Sequence, residues 1–214
     1  MILKNCLNTE YIVYILRYLI VTNFRNKMNK TESLIGSFLI AMPSMPDPRF
    51  KQSVILITSY SKEGATGIII NKPFEINIKE VLKNMKLETT SNRNDIAVLN
   101  GGPVEMDKGF IIHNSELKLT GSTKIEGINC SLNTTKESLA FLCDEEDEIK
   151  ANLYLGYCGW SPGQLDKEIK SNDWLNYNGN DEVIFNKDHN LIWRKSIEDM
   201  GLNLSFLSEK SGLA

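Results

Sequence analysis

Short apolar runs bounded by turn residues recur along the chain, which is the pattern of strands. They are 37–42, 53–58, 67–71, 96–99, 109–113, 128–132, 152–157 and 182–185. Ile68-Ile69-Ile70 is apolar at every position, so it suits a central strand covered on both faces. The second and third runs are separated by the polar stretch 59–66 with Gly64, which predicts a hairpin. Helices show through their caps. Asn77-Ile78-Lys79-Glu80 has the form of a capping box, with Val81, Leu82 and Met85 following at helical spacing. Thr134-Thr135-Lys136-Glu137 repeats it ahead of Leu139, Phe141 and Leu142. In Ser161-Pro162-Gly163-Gln164, Ser161 is expected to cap, Pro162 to open the helix and Gln164 to reach back. A last helix is expected to carry Trp193, Ile197 and Met200 and to stop at Gly201. Strands and helices mix without strict alternation, so the fold class is α+β.

The chain has 214 residues, 42% apolar and 24% charged, which fits one soluble domain and excludes a disordered or collagen-like chain. Residues 11–21 are the most apolar stretch, but Arg17 interrupts them and they are too short for a span of about 20 residues. No small-residue cleavage site follows. Residues 1–27 read as an amino-terminal extension, with three readings open: a docking helix, an interfacial anchor, or translated upstream sequence outside the native protein. The third is favoured, with Met28 as the expected start and 28–214 as the domain.

Charge narrows the partners. The net charge is −3, but Lys4, Arg17, Arg25 and Lys27 against Glu10 give the first 27 residues +3, leaving −6 on the rest. Phosphate neutralisation supplies most of the affinity of a nucleic-acid binder, so this balance argues against direct DNA contact. The acidic run 144–148 reads as a solvated surface segment. Cys6, Cys130, Cys143 and Cys158 form no C-x-x-C pair, and His113 and His189 stand near no cysteine motif, so no metal is expected. The same cysteine usage points to a reducing cytoplasm.

Several groups are candidates for chemistry. Gly159-Trp160-Ser161-Pro162-Gly163 matches the G-x-S-x-G nucleophile elbow, and Asp181 and His189 follow in hydrolase order. The residue after the serine is Pro162, however, and it has no N–H for an oxyanion hole. No catalytic residue is assigned. Gly101-Gly102-Pro103 follows a strand and could approach a phosphate or simply turn. No G-x-G-x-x-G or G-K-[ST] accompanies it, so no cofactor is expected. Asp47-Pro48-Arg49-Phe50 could hold an anion through Arg49, or Asp47 and Arg49 could pair locally. Asn71 sits at a strand exit, and His113 ends a strand as a base or as a hydrogen-bonded structural histidine. Trp160 and Trp174 are expected to pack before they stack on a ligand; in a site, Trp160 would offer a flat wall and Gln164 a ligand-orienting amide.

Five blocks together resemble the YqgE/AlgH family. They are 36–50 (GSFLIAMPSMPDPRF), 64–73 (GATGIIINKP), 101–104 (GGPV), 109–113 (GFIIH) and 155–165 (LGYCGWSPGQL), the last continuing to Glu168 and Trp174. The resemblance spans about residues 33–208. Pro46, Cys158 and Ser161 stand where varied or small residues are expected, so neither the thiol nor the hydroxyl is read as a nucleophile. The resemblance implies a mixed, bifurcated and partly barrel-like sheet flanked by helices in a single domain. It also implies a bacterial cytoplasmic protein and no established reaction. One branch is described as a transcriptional regulator of alginate production.

Three functions are weighed on this basis. The first is a non-enzymatic binding or regulatory protein with a protein partner. The second is an enzyme or sensor for a small anionic ligand, its site built where Asp47, Arg49, Asn71, Gly101, Gly102, Trp160 and Gln164 meet. The third is regulation of exopolysaccharide genes through DNA, for which no helix-turn-helix is visible.

Overall fold

Ile68, Ile69 and Ile70 lie at the centre of a nine-stranded sheet, each at most 2% exposed, as an unbroken apolar run requires. The computed structural model describes residues 33–87, 96–144, 149–204 and 207. The expectations for residues 1–27, the start at Met28 and most of the acidic run (145–148) fall outside them. The described residues from 34 onward form one compact unit.

The strands are β1 (Phe38–Ala41), β2 (Val54–Ser61), β3 (Gly64–Ile69), β4 (Val98–Asn100) and β5 (Val104–Asn114), then β6 (Thr123–Lys124), β7 (Cys130–Asn133), β8 (Ala151–Trp160) and β9 (Trp174–Tyr177). The helices are α1 (Ile78–Asn84), α2 (Lys136–Asp144), α3 (Gln164–Lys170) and α4 (His189–Asp199). The sheet runs β6-β7-β5-β8-β3-β2-β1-β9, with β4 parallel to β8 and the other pairs antiparallel. It curls into a half-barrel, the mixed α+β architecture that the resemblance implied.

The two faces carry different cores. A single cluster crosses one face, from Phe38 and Leu56 through Ile68 to Ile112 and Tyr154, and α4 closes it with Ile192, Trp193 and Ile197. The other face is split. Leu39, Ile55, Ile69 and Trp160 pack under α3, whereas Ile111, Leu153 and Leu139 pack with α1 and α2. Each fully buried aliphatic side chain contributes about 1.5–3 kcal/mol, so these layers dominate the stability.

The split has a backbone cause. One edge of β8 pairs with β5 from Ala151 to Tyr157. Its other edge holds β4 at Leu153–Leu155 and then β3 at Cys158–Trp160. At this fork Gly101 and Gly102 press on β8. A Cβ on Gly101 would stand 2.3 Å from the Gly156 carbonyl oxygen, and one on Gly102 would stand 2.3 Å from the Tyr157 carbonyl. Only glycine allows this approach.

Several local expectations change. The hairpin is present, but β2 and β3 extend to Ser61 and Gly64, so two residues rather than eight turn the chain. Ser59, Tyr60 and Ser61 read as loop because one face of β2 meets solvent there. Residues 182–185 are not a strand. Asp181–Val183 is a 3-10 turn whose Ile184 plugs the core at 0% exposure, while its carbonyl accepts from the Asn152 side chain at 2.9 Å. Ser161 is not the cap of α3. Gly163, in the left-handed region, takes that place, although Gln164 does reach back to the Ser161 N–H at 3.0 Å. β6 and β9 were not expected. The Asn77 capping box is complete, and α4 ends at Met200 and Gly201 as read.

Candidate functional site

Four of the expected segments converge on the α3 side of the fork. Asp47 caps the 3-10 turn Pro48–Phe50 by accepting from the Arg49 N–H, and it also takes the Arg49 guanidinium, with Nη2 to Oδ2 at 2.6 Å. This pair holds the Asp47 carboxyl below its usual range. Arg49 lies over the Phe50 ring at 5.6 Å, and its side chain is 64% exposed. Phe50 meets Trp174 edge-on at 5.7 Å, and Trp174 meets Trp160 at 6.3 Å.

Glu168 organises the two indoles. Trp160 Nε1 and Trp174 Nε1 both donate to its Oε2 at 2.8 Å, and Gln164 Nε2 donates to its Oε1 at 2.9 Å. Gln164 therefore joins α3 to the end of β8, with one amide group on Ser161 and the other on Glu168. Tyr60 adds a second tie, donating to Asp166 at 2.6 Å.

The remaining groups of this cluster are engaged in backbone contacts. Asn71 is 5% exposed, accepts from Val54 N–H at 2.8 Å and donates to Gln52 O at 2.8 Å. Gly101 N–H donates to Leu155 O and its carbonyl accepts from Ile69 N–H, both at 2.8 Å, while Gly102 N–H donates to Asn100 Oδ1 at 3.0 Å. Cys158 lies beneath, its thiol donating to Gly101 O at 3.6 Å, and burial pushes its pKa up to about 12. A thiol so far from ionising is a poor nucleophile.

His113 is not part of this cluster. It lies on β5 opposite Ser131 and Ala151, fully buried. Nδ1 donates to Asn114 O at 2.8 Å, which leaves Nε2 to accept from the Ser122 hydroxyl at 2.8 Å. Burial lowers its pKa. Among the described residues no group of three or more His, Cys, Asp or Glu could hold a metal ion.

A second region was not anticipated. Between Val104 and Gly109 the ladder with β8 breaks, and Glu105–Lys108 loops out as a bulge. Beside it opens a cleft of about 650 Å³. Thr58, Thr66 and Ile68 line it from β2 and β3, and Phe110 and Tyr157 from β5 and β8. The two threonine hydroxyls lie 3.1 Å apart, and Phe110 meets Tyr157 edge-on at 5.8 Å. The N-terminal turn of α2, Thr134–Lys136, forms another wall. The sequence holds only a slight trace of the bulge: Val104-Glu105-Met106-Asp107 keeps the alternation, and the polar pair Asp107-Lys108 breaks it just before the run from Gly109.

The sequence profile of a family described as AlgH-like matches residues 38–205. A UPF0301 protein of Paracoccus denitrificans is 38% identical over 190 residues, covering 87% of this chain and 100% of that protein. A UPF0301 protein of Vibrio cholerae is 37% identical over 187 residues, covering 85% and 100%. The solution structure of the AlgH protein from Pseudomonas aeruginosa is similar at a TM-score of 0.69 and 32% identity, covering 86% of this chain and 98% of that one. A Corynebacterium diphtheriae protein shares the fold at a TM-score of 0.59 and 20% identity.

Proposed function

We propose, from the premise that this chain belongs to the AlgH-like family, that it is a binding protein and takes its ligand in the cleft beside the β5 bulge. The observation that carries this reading is the cleft itself. Its volume of about 650 Å³ lies within the range of sites that enclose small molecules. Ile68, Phe110 and Tyr157 give it an apolar floor, and the Thr58 and Thr66 hydroxyls give it a few polar points that can fix orientation.

The candidate groups for bond-making support recognition over reaction. His113 has both ring nitrogens engaged in local hydrogen bonds, and Cys158 is held as a thiol. Arg49 is chelated by Asp47, so an anion arriving there must displace a carboxylate. No helix among the described residues is long and apolar enough to cross a membrane. The buried thiols of Cys130 and Cys158, neither in a disulfide, support a reducing compartment such as the bacterial cytoplasm.

A thermal-shift screen against a mixed library of aromatic and aliphatic fragments tests this reading, because a ligand that binds only the folded chain raises its melting temperature. Stabilisation by one or more fragments that is lost in Tyr157→Ala is the expected result. Stabilisation that survives Tyr157→Ala but disappears in Arg49→Ala would move the site to the Asp47 turn and overturn the reading. So would the absence of any stabilising fragment.

A further inference from the structure

Among the described residues, the edge of β5 beside the cleft has a backbone position with no partner, and its register identifies which one. Peptide groups along a strand point alternately to the two neighbouring strands. Asn114 N–H donates to Lys150 O, on the β8 side, at 3.0 Å. Ser115 N–H donates to Asn129 O, on the β7 side, at 3.1 Å. Counting back by twos from Ser115 brings His113 opposite Ser131 and Ile111 opposite Asn133. The next residue on that side is Gly109, and there β7 has already ended at Asn133. The residue that would face it, Thr135, donates its N–H to Asn133 Oδ1 at 2.8 Å and gives its carbonyl to Leu139 N–H. The chain has turned away into α2.

The N–H and C=O of Gly109 are thus left pointing into the gap between β5 and the first turn of α2, and that gap is part of the cleft. We infer that the cleft receives an extended peptide segment of a partner protein, which continues the β7 side of the ladder by pairing with the Gly109 backbone. The inference rests on the cleft being the binding site and names what fills it. Strand addition of this kind takes its affinity from main-chain hydrogen bonds and its specificity from alternate side chains. Here one set of peptide side chains meets Phe110 and Tyr157, and the other meets Leu139 and Leu153. Apolar residues at alternate positions are the chemistry that fits. Position 109 bears no side chain to stand over the incoming backbone, and a Cβ there would meet only the Leu153 Cδ1 atom, at 3.2 Å.

Selection of a phage-displayed random heptapeptide library against the full chain tests this, followed by affinity and amide-exchange measurements with the selected peptides. Peptides with alternating apolar residues are expected, and their binding should slow exchange of the Gly109 amide proton. Gly109→Ala, which keeps the N–H, should retain binding, and Gly109→Pro, which removes it, should weaken binding by about tenfold or more. The exchange measurement uses the unaltered chain, so it decides the matter even if the proline variant fails to fold. Selected peptides that leave the Gly109 amide unprotected, or no selected peptides at all, would overturn the inference. If fragments still stabilise the chain through Tyr157 in that case, the cleft stands as a site for small molecules. If they do not, both readings fall.

Discussion

Trp160 and Trp174 share one acceptor: both indole N–H groups donate to Oε2 of Glu168, each at 2.8 Å. The rings are 7% and 3% exposed, so neither nitrogen has water as an alternative. Removing the carboxylate strands two buried donors, each costing about 1–3 kcal/mol. Glu168→Ala is expected to lower stability by about 2–4 kcal/mol, read as a reduced urea midpoint with a shift in indole fluorescence. Glu168→Gln keeps one acceptor oxygen and should cost less. A midpoint unchanged in Glu168→Ala would show that the pair is not structural.

The glycines of the fork predict a steeper loss. At Gly102 a methyl group would fall 2.3 Å from the Tyr157 carbonyl, which is backbone and has no room to give. Gly102→Ala should cost at least about 3 kcal/mol or prevent folding, measured by denaturant unfolding and by the dispersion of amide resonances. A well-folded Gly102→Ala protein of unchanged stability would contradict the close approach of β4 to β8.

Stability should fall as the solution becomes acidic, starting near the ordinary histidine pKa. Burial lowers the pKa of His113 in the folded chain from 6.5, with His189 shifted the same way. Below pH 6.5 the unfolded chain takes up protons that the folded chain refuses, so the folded state loses ground as pH drops toward the depressed value. Above that range both states are neutral and the contribution is complete. Urea midpoints at pH 7.5 and 5.5 should therefore differ less in His113→Gln than in the unaltered chain. An equal difference in both would remove His113 as a source.

Ser196 carries a buried hydroxyl with no hydrogen-bond partner among the described residues, at 1% exposure on α4. Its burial is uncompensated, so Ser196→Ala should raise stability by up to about 1 kcal/mol and lift the melting temperature by a few degrees. A decrease instead would reveal a bond that this geometry does not contain.

The sequence made the apolar layers legible because they obey a local rule. Ile68–Ile70 announces a doubly covered strand, and Asn77 with Glu80 announces a helix start, from side chains a few residues apart. What failed depends on distant partners. Ile184 belongs to an apolar run, but the Asn152 side chain takes its carbonyl, and this contact across the sheet converts an expected strand into a core plug. Gly101 and Gly102 are readable as a turn or a phosphate approach, whereas their close approach to Gly156 and Tyr157 on β8 is a contact with a distant strand that the local sequence does not show. Arg49 and Trp160 are linked through Phe50, Trp174 and Glu168, and Glu168, the acceptor that unites the indoles, carries no signal of that role in the 155–165 block and its continuation to Trp174. The cleft escaped notice because it is defined by a strand that ends. Nothing near Gly109 tells where β7 leaves it.

Recognition beside the β5 bulge is decided by nuclear magnetic resonance of the isotope-labelled chain titrated with its best fragment or peptide. The amides of Thr66, Gly109, Phe110 and Tyr157 should shift together and saturate at one ligand per chain. Saturable shifts confined to Arg49, Phe50, Trp160 and Gln164, with the cleft amides unmoved, would place recognition at the Asp47 turn instead.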